Sequence, residues 1–151
     1  MKDSLQYKEF EIEDYLQIEA RPESNVVKLG FDREKEGDFI LNHPQSRAMT
    51  ITYEDRPVAI IGLFQMYDNV AEAWVLCSEE IKKFGKEFSL KCLWCLHHYS
   101  KELGFHTVVG RVREDFELAQ SWTERMGFVP TDKTVDNPDG TKSILYLWRC
   151  E

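Results

Sequence analysis

The sequence lacks any apolar run approaching the roughly 20 residues that a membrane-crossing helix needs, so no stretch of it is expected to cross a membrane as a helix. It also lacks a basic surplus, since 19 Lys and Arg stand against 27 Asp and Glu for a net charge of −8 at pH 7. That sign disfavours wholesale binding to nucleic acid and leaves only a local basic patch to weigh. Residues 1–15, MKDSLQYKEFEIEDY, hold no hydrophobic signal core, and the expected location is the cytoplasm. There is no internal repeat, low-complexity tract or linker. Cysteine is scarce, with four, and the Cys92-x-x-Cys95 pair has neither the glycine nor the proline of a metal knuckle. Both thiols fall on the apolar stripe of a helix and are expected in the core. His97 and His98 follow closely, but one helix cannot easily wrap four such side chains round a metal. They are read as helix surface.

What is present suits one folded unit with a sizeable core. Of the 151 residues, 42% are hydrophobic and 30% charged, the balance of a soluble globular chain expected to form one domain over 1–151. Residues 6–12 alternate loosely as a first strand, and 13–20 read as a short helix closed by Arg21-Pro22. Over 25–42, Val27, Leu29 and Phe31 alternate, and 38–41 suit a helical turn or a strand before His43-Pro44. Residues 48–53 and 58–64 form a hairpin pattern turning at Glu54-Asp55-Arg56, with 70–77 as the next antiparallel strand. Gly62, inside a strand, points to a bulge or to close packing by a neighbour. Residues 106–112 read as a strand covered on both faces, and 114–126 as a helix that Asp115 could cap and Gly127 ends. A strand begins at 128–129, and the turn Asp136-Asn137-Pro138-Asp139-Gly140 leads to a last strand over 143–149. Trp74, Trp94, Trp122 and Trp148 fall on different elements, which suits cores better than a base-stacking platform.

The chain is organised around residues 69–104. Val70, Ala71, Ala73, Trp74, Val75 and Leu76 make a strand, and a polar stretch over 78–86 carries one glycine, Gly85. Phe88, Cys92, Cys95, Leu96, Tyr99 and Leu103 then recur at spacings of three and four, and Gly104 is a stop signal. A strand passing through a tight loop into a helix leaves free backbone N–H groups where a phosphate can be held. This order, followed by a strand and a second helix ending in Met126-Gly127-Phe128, resembles the GNAT superfamily of N-acetyltransferases, most clearly over 48–150. The layout is also similar to that of small acetyltransferase-like proteins of tailed phages, so a phage origin is a further expectation. The resemblance implies an α/β class and a GNAT-like (acyl-CoA N-acyltransferase) fold, with a mixed, mostly antiparallel central sheet and helices on both faces.

The same resemblance implies a site. The family binds acetyl-CoA through a loop of the form Arg/Gln-x-x-Gly-x-Gly/Ala, and the matching hexapeptide is Lys82-Lys83-Phe84-Gly85-Lys86-Glu87. Lys82 stands for the Arg/Gln and Gly85 for the first glycine, while Glu87 occupies the place of the second small residue. Acetyl-CoA is thus the implied cofactor, held by Leu76, Cys77, Lys82, Lys83, Phe84, Gly85, Lys86 and Glu87. The lysines would add charge for its phosphates, whereas the Glu87 carboxylate would repel them unless it turned away. For catalysis the resemblance points to Glu72 as base, with Asp68 and Glu79 less well placed. Thr123 falls where the family has an acidic tyrosine, and Phe116 replaces the asparagine of its Asn-x-x-Ala, of which Ala119 remains. The implied activity is acetyl transfer to a primary amine of a small molecule or protein, by direct attack in a ternary complex. An alternative is a protein that keeps the fold, has lost the chemistry and acts as a binding or virion-associated protein, as Glu87, Thr123 and Phe116 suggest. A homo-oligomer is open under both, and neither implies a membrane or nucleic-acid partner. Each site feature also has a plain structural counterpart: a solvated helix start for the lysines and a solvent-facing strand residue for Glu72.

Overall fold

The structure, a computed structural model, describes residues 5–18 and 39–150. Seven strands form one sheet: β1 (Gln6–Glu9), β2 (Ser46–Tyr53), β3 (Arg56–Tyr67), β4 (Val70–Cys77), β5 (Thr107–Arg113), β6 (Val129–Asp136) and β7 (Lys142–Arg149). Their spatial order is β1-β2-β3-β4-β5-β7-β6, antiparallel throughout except for the parallel pair β4 and β5. A parallel pair needs a long crossover, and helix α2 (Gly85–Leu103), entered through a 3₁₀ turn at Glu79–Phe84, supplies it. Helix α1 (Ile12–Gln17) connects β1 towards β2, and α3 (Glu117–Arg125) connects β5 to β6. The expected α/β, mixed and mostly antiparallel sheet is therefore present.

Several boundaries differ from expectation for local reasons. The first strand stops at Glu9, not residue 12, because Glu11 and Asp14 form a reciprocal capping box that starts α1. The Asp14 carboxylate is buried and also accepts Lys8 Nζ at 2.8 Å and Thr50 Oγ1 at 2.8 Å, which pins α1 to β1 and β2. The pattern over 25–38 lies outside the described residues, and 39–42 are helical. The third helix begins at Glu117 rather than 114, and Asp115 does not cap it. Phe116 is the cap residue, while Arg113 Nε and Nη2 hold the Asp115 carboxylate at 2.9 and 2.7 Å. The tight loop expected after β4 is a 3₁₀ turn.

Packing divides the core by sheet face. The larger cluster joins α2 (Phe88, Cys92, Cys95, Leu96, Tyr99) and the end of α3 (Met126) to Ala71, Cys77, Val108, Tyr146 and Trp148 of the sheet. On the opposite face Phe10, Tyr15, Ile18 and Ile40 cover Ile60 and Leu76. Cys92 and Cys95 thus pack in the core as expected, and His97 and His98 are exposed on α2. Gly104 takes the left-handed conformation (φ 79°) that ends α2. Trp148 is buried, but Trp94 departs from its expected core role. It is 45% exposed, stacked on His98 with 4.5 Å between ring centres. No register shift falls at Gly62; the Trp74 indole of the next strand lies directly against it.

Candidate active site

The site begins where two neighbouring strands part. β4 and β5 pair only from Val70↔Thr107 to Ala73↔Gly110, although β4 runs on to Cys77 and β5 to Arg113. Each keeps its other neighbour, β3 for β4 and β7 for β5, so the sheet forks instead of ending. Buried backbone N–H and C=O groups need partners, and the facing edges of a fork present unused ones to a chain that carries amides. Leu76 and Cys77 lie on the β4 arm with side chains buried in opposite cores, which leaves their backbone as what they offer a ligand.

At the end of that arm the chain turns through Ser78 into the 3₁₀ turn and α2. The Ser78 hydroxyl oxygen is buried and has no hydrogen-bond partner among the described residues. No side chain caps α2, whose N-cap residue is Phe84. Phe84 packs its ring on Tyr53 at 4.8 Å. Lys82 is engaged by Glu79 at 2.7 Å, whereas Lys83 and Lys86 are exposed and make no ion pair with a described residue. Gly85 is helical (φ −48°) and has nothing within 4 Å of a Cβ placed on it, so its lack of a side chain opens space and answers no backbone strain. Glu87 turns to the N-terminal segment. Its Oε2 accepts the Leu5 N–H at 2.9 Å, which holds the buried Leu5 against the core. A buried hydroxyl and two lysines without partners among the described residues, beside a helix start that no side chain caps, are a donor set that fits a pyrophosphate.

The face of the fork towards α1 carries the charged pair. Glu72 lies on β4 opposite Phe64 and Val109, one rung before the last β4–β5 pair. It is buried, and its Oε2 accepts Arg111 Nε from β5 at 2.6 Å. Arg111 was not singled out in the sequence. The residues are 39 apart and meet only because β4 and β5 are parallel neighbours, for which the sequence carries no signal. Of the less favoured bases, Asp68 sits in the β3–β4 turn, at the far end of β4 from the fork, and Glu79 is bound to Lys82.

On the other face, α3 closes against the start of α2. Trp122 stacks on Phe88 with centroids 5.5 Å apart, and its Nε1 donates to Ser89 Oγ at 2.7 Å. Ser89 in turn donates to the Gly85 carbonyl at 2.8 Å. The neighbouring Thr123 is buried, and its hydroxyl donates to the Ala119 carbonyl at 2.7 Å within α3. Glu72 and Thr123 belong to opposite sheet faces, and no contact joins them.

No protein-family model and no curated protein matches the sequence. Solved structures do match. An acetyltransferase from Streptococcus agalactiae gives a TM-score of 0.72 at 14% identity, over 96% of this chain and 98% of that one. The Salmonella typhimurium protein yncA, solved with its cofactor acetyl-CoA, gives 0.73 at 10% identity over 97% and 94%. A variant of the spermidine N-acetyltransferase SpeG from Vibrio cholerae gives 0.72 at 11% identity over 96% and 93%. The fold is that of the GNAT acyl-CoA N-acyltransferases.

Proposed function

We propose that the protein is an acetyl-CoA-dependent N-acetyltransferase that acts, as a single domain, on a primary amine of a small molecule or protein. The fork between β4 and β5 carries this reading, because it opens two strand edges beside an uncapped helix start. When bound, acetyl-CoA supplies an acetyl group activated as a thioester. Residues 74–77 offer backbone partners to its amide-bearing arm, and Ser78, Lys83, Lys86 and the first amides of α2 hold its phosphates. Lys82 adds charge once it leaves Glu79, and Phe84 walls the entrance from Tyr53. With its carboxylate tied to Leu5, Glu87 no longer faces the phosphates.

On the acceptor face Glu72 takes the proton that the attacking amine must lose. Thr123 stands at the position of the acid, and its hydroxyl must leave the Ala119 carbonyl before it can donate elsewhere. That engagement favours a second reading, a GNAT-fold protein that binds without turnover. A phage origin and a cytoplasmic location rest on the sequence resemblance and composition; no helix among the described residues is long and apolar enough to cross a membrane.

The two readings separate in a coupled assay of free thiol release from acetyl-CoA with a panel of primary amines. The enzyme reading expects amine-dependent release that Glu72→Gln lowers by about 100-fold. Acetyl-CoA binding with no release for any amine would leave the second reading standing alone.

A further inference from the structure

The Glu72–Arg111 pair is only half used. Arg111 spends Nε on Glu72, and neither of its terminal nitrogens hydrogen-bonds a described residue. The Glu72 side chain is 9% exposed and that of Arg111 38%, so the carboxylate lies in the sheet while the guanidinium opens outward. A guanidinium with its two terminal N–H groups open is a fork that matches a carboxylate bidentately. The pair therefore presents a negative and a positive group side by side at the mouth of the β4–β5 fork.

From this juxtaposition we propose that Arg111 anchors a carboxylate on the acceptor, so that the substrate is an α-amino acid or a compound with that headgroup. A zwitterionic headgroup carries its ammonium and carboxylate two bonds apart, complementary to Glu72 and Arg111 in turn. The rest of this face agrees. The sheet positions that share it on β3, β4, β5 and β7 are Phe64, Gly62, Trp74, Val109, Leu145 and Leu147 around the pair, with Arg113 and Arg149 beyond. Arg113 is committed to Asp115, and Glu72 is the one carboxylate on the β4 and β5 positions of this face. On these two strands a polyamine would meet one carboxylate already paired and an arginine that repels it.

The inference rests on the acetyltransferase reading for the acceptor's place, and its test keeps the two apart. Leucine, methionine, phenylalanine and lysine are each compared with the amine that lacks the carboxylate: isopentylamine, 3-methylthiopropylamine, phenethylamine and cadaverine. Binding is measured by calorimetry without acetyl-CoA, and acetyl transfer is measured separately. At least one amino acid is expected to bind ten-fold or more tightly than its partner amine. Arg111→Lys should erase that margin, because it keeps a charge against Glu72 and loses the fork; its melting temperature verifies that it folds. Amines that bind as well as the amino acids, no binding by either, or a margin that survives Arg111→Lys would each overturn the inference. Preference for bare amines with intact transfer removes it and leaves the acetyltransferase reading in place. Amino-acid binding without any acetyl-CoA binding does the reverse.

Discussion

At the scale of single residues, Gly62 shows how closely the sheet is packed. A Cβ at this position would lie 2.5 Å from Trp74 Cζ2 and 2.7 Å from Nε1, and the indole is backed edge-on by Tyr15 at 6.1 Å. Gly62→Ala should therefore cost about 1–3 kcal/mol as overpacking, read as a lower urea midpoint. A midpoint equal to wild type would mean that the ring shifts freely. The thiols make a second test. Burial pushes the Cys95 thiol up to about 12 and Cys92 well above its ordinary value, and only the thiolate reacts. In native protein at pH 8, a thiol reagent should reach only the half-buried Cys150 before unfolding; rapid labelling of four thiols would contradict the core placement. The core role of Cys92 and Cys95 was legible because periodicity alone decides which helix face is apolar. The direction of Glu87 was not, since its partner is a backbone amide 82 residues away.

Among the elements, the β2–β3 hairpin turns through Glu54 and Asp55, both with positive φ (52° and 65°), a conformation that favours asparagine and glycine. Asp55→Gly should stabilise the protein by about 1 kcal/mol by removing left-handed strain. A lower melting temperature would show that the Asp55 side chain contributes more than the backbone loses. Arg56, next in line, ties β3 to the 3₁₀ turn through Glu80, and its guanidinium holds the Glu80 carboxyl below the usual range. A carboxylate depressed in the folded state stabilises it above the unfolded pKa and loses that effect as pH falls through the folded value. The stability advantage of wild type over Glu80→Gln should thus be present at neutral pH, small because the pair is exposed, and be lost as acid protonates the Glu80 carboxyl. An advantage that persists at low pH would contradict an ionic origin. These elements were legible to within a few residues, because hydrophobic period and turn residues act locally. The misplaced boundaries, the end of β1 and the start of α3, came from Glu11 bonding nearby backbone and Asp115 bonding Arg113 instead of capping the helix.

For the whole molecule, the order of strands and helices could be read along the chain, but the fork could not. It lies between two strands that α2 brings together in parallel and that stop pairing after Ala73↔Gly110, and that pairing is a choice of tertiary packing. The site is spread over that topology: the phosphate-fitting start of α2 lies beside one arm, and the Glu72–Arg111 pair lies at the point of divergence. Acetyl-CoA in the fork is the claim on which the proposed function stands. The most direct test is calorimetric titration with acetyl-CoA of wild type beside Gly85→Trp. A Cβ at Gly85 has nothing within 4 Å among the described residues and the position is helical, so the variant should fold, with its melting temperature as the check. Binding by wild type that Gly85→Trp abolishes is the predicted result. No binding by wild type, or equal binding by both proteins, would contradict it.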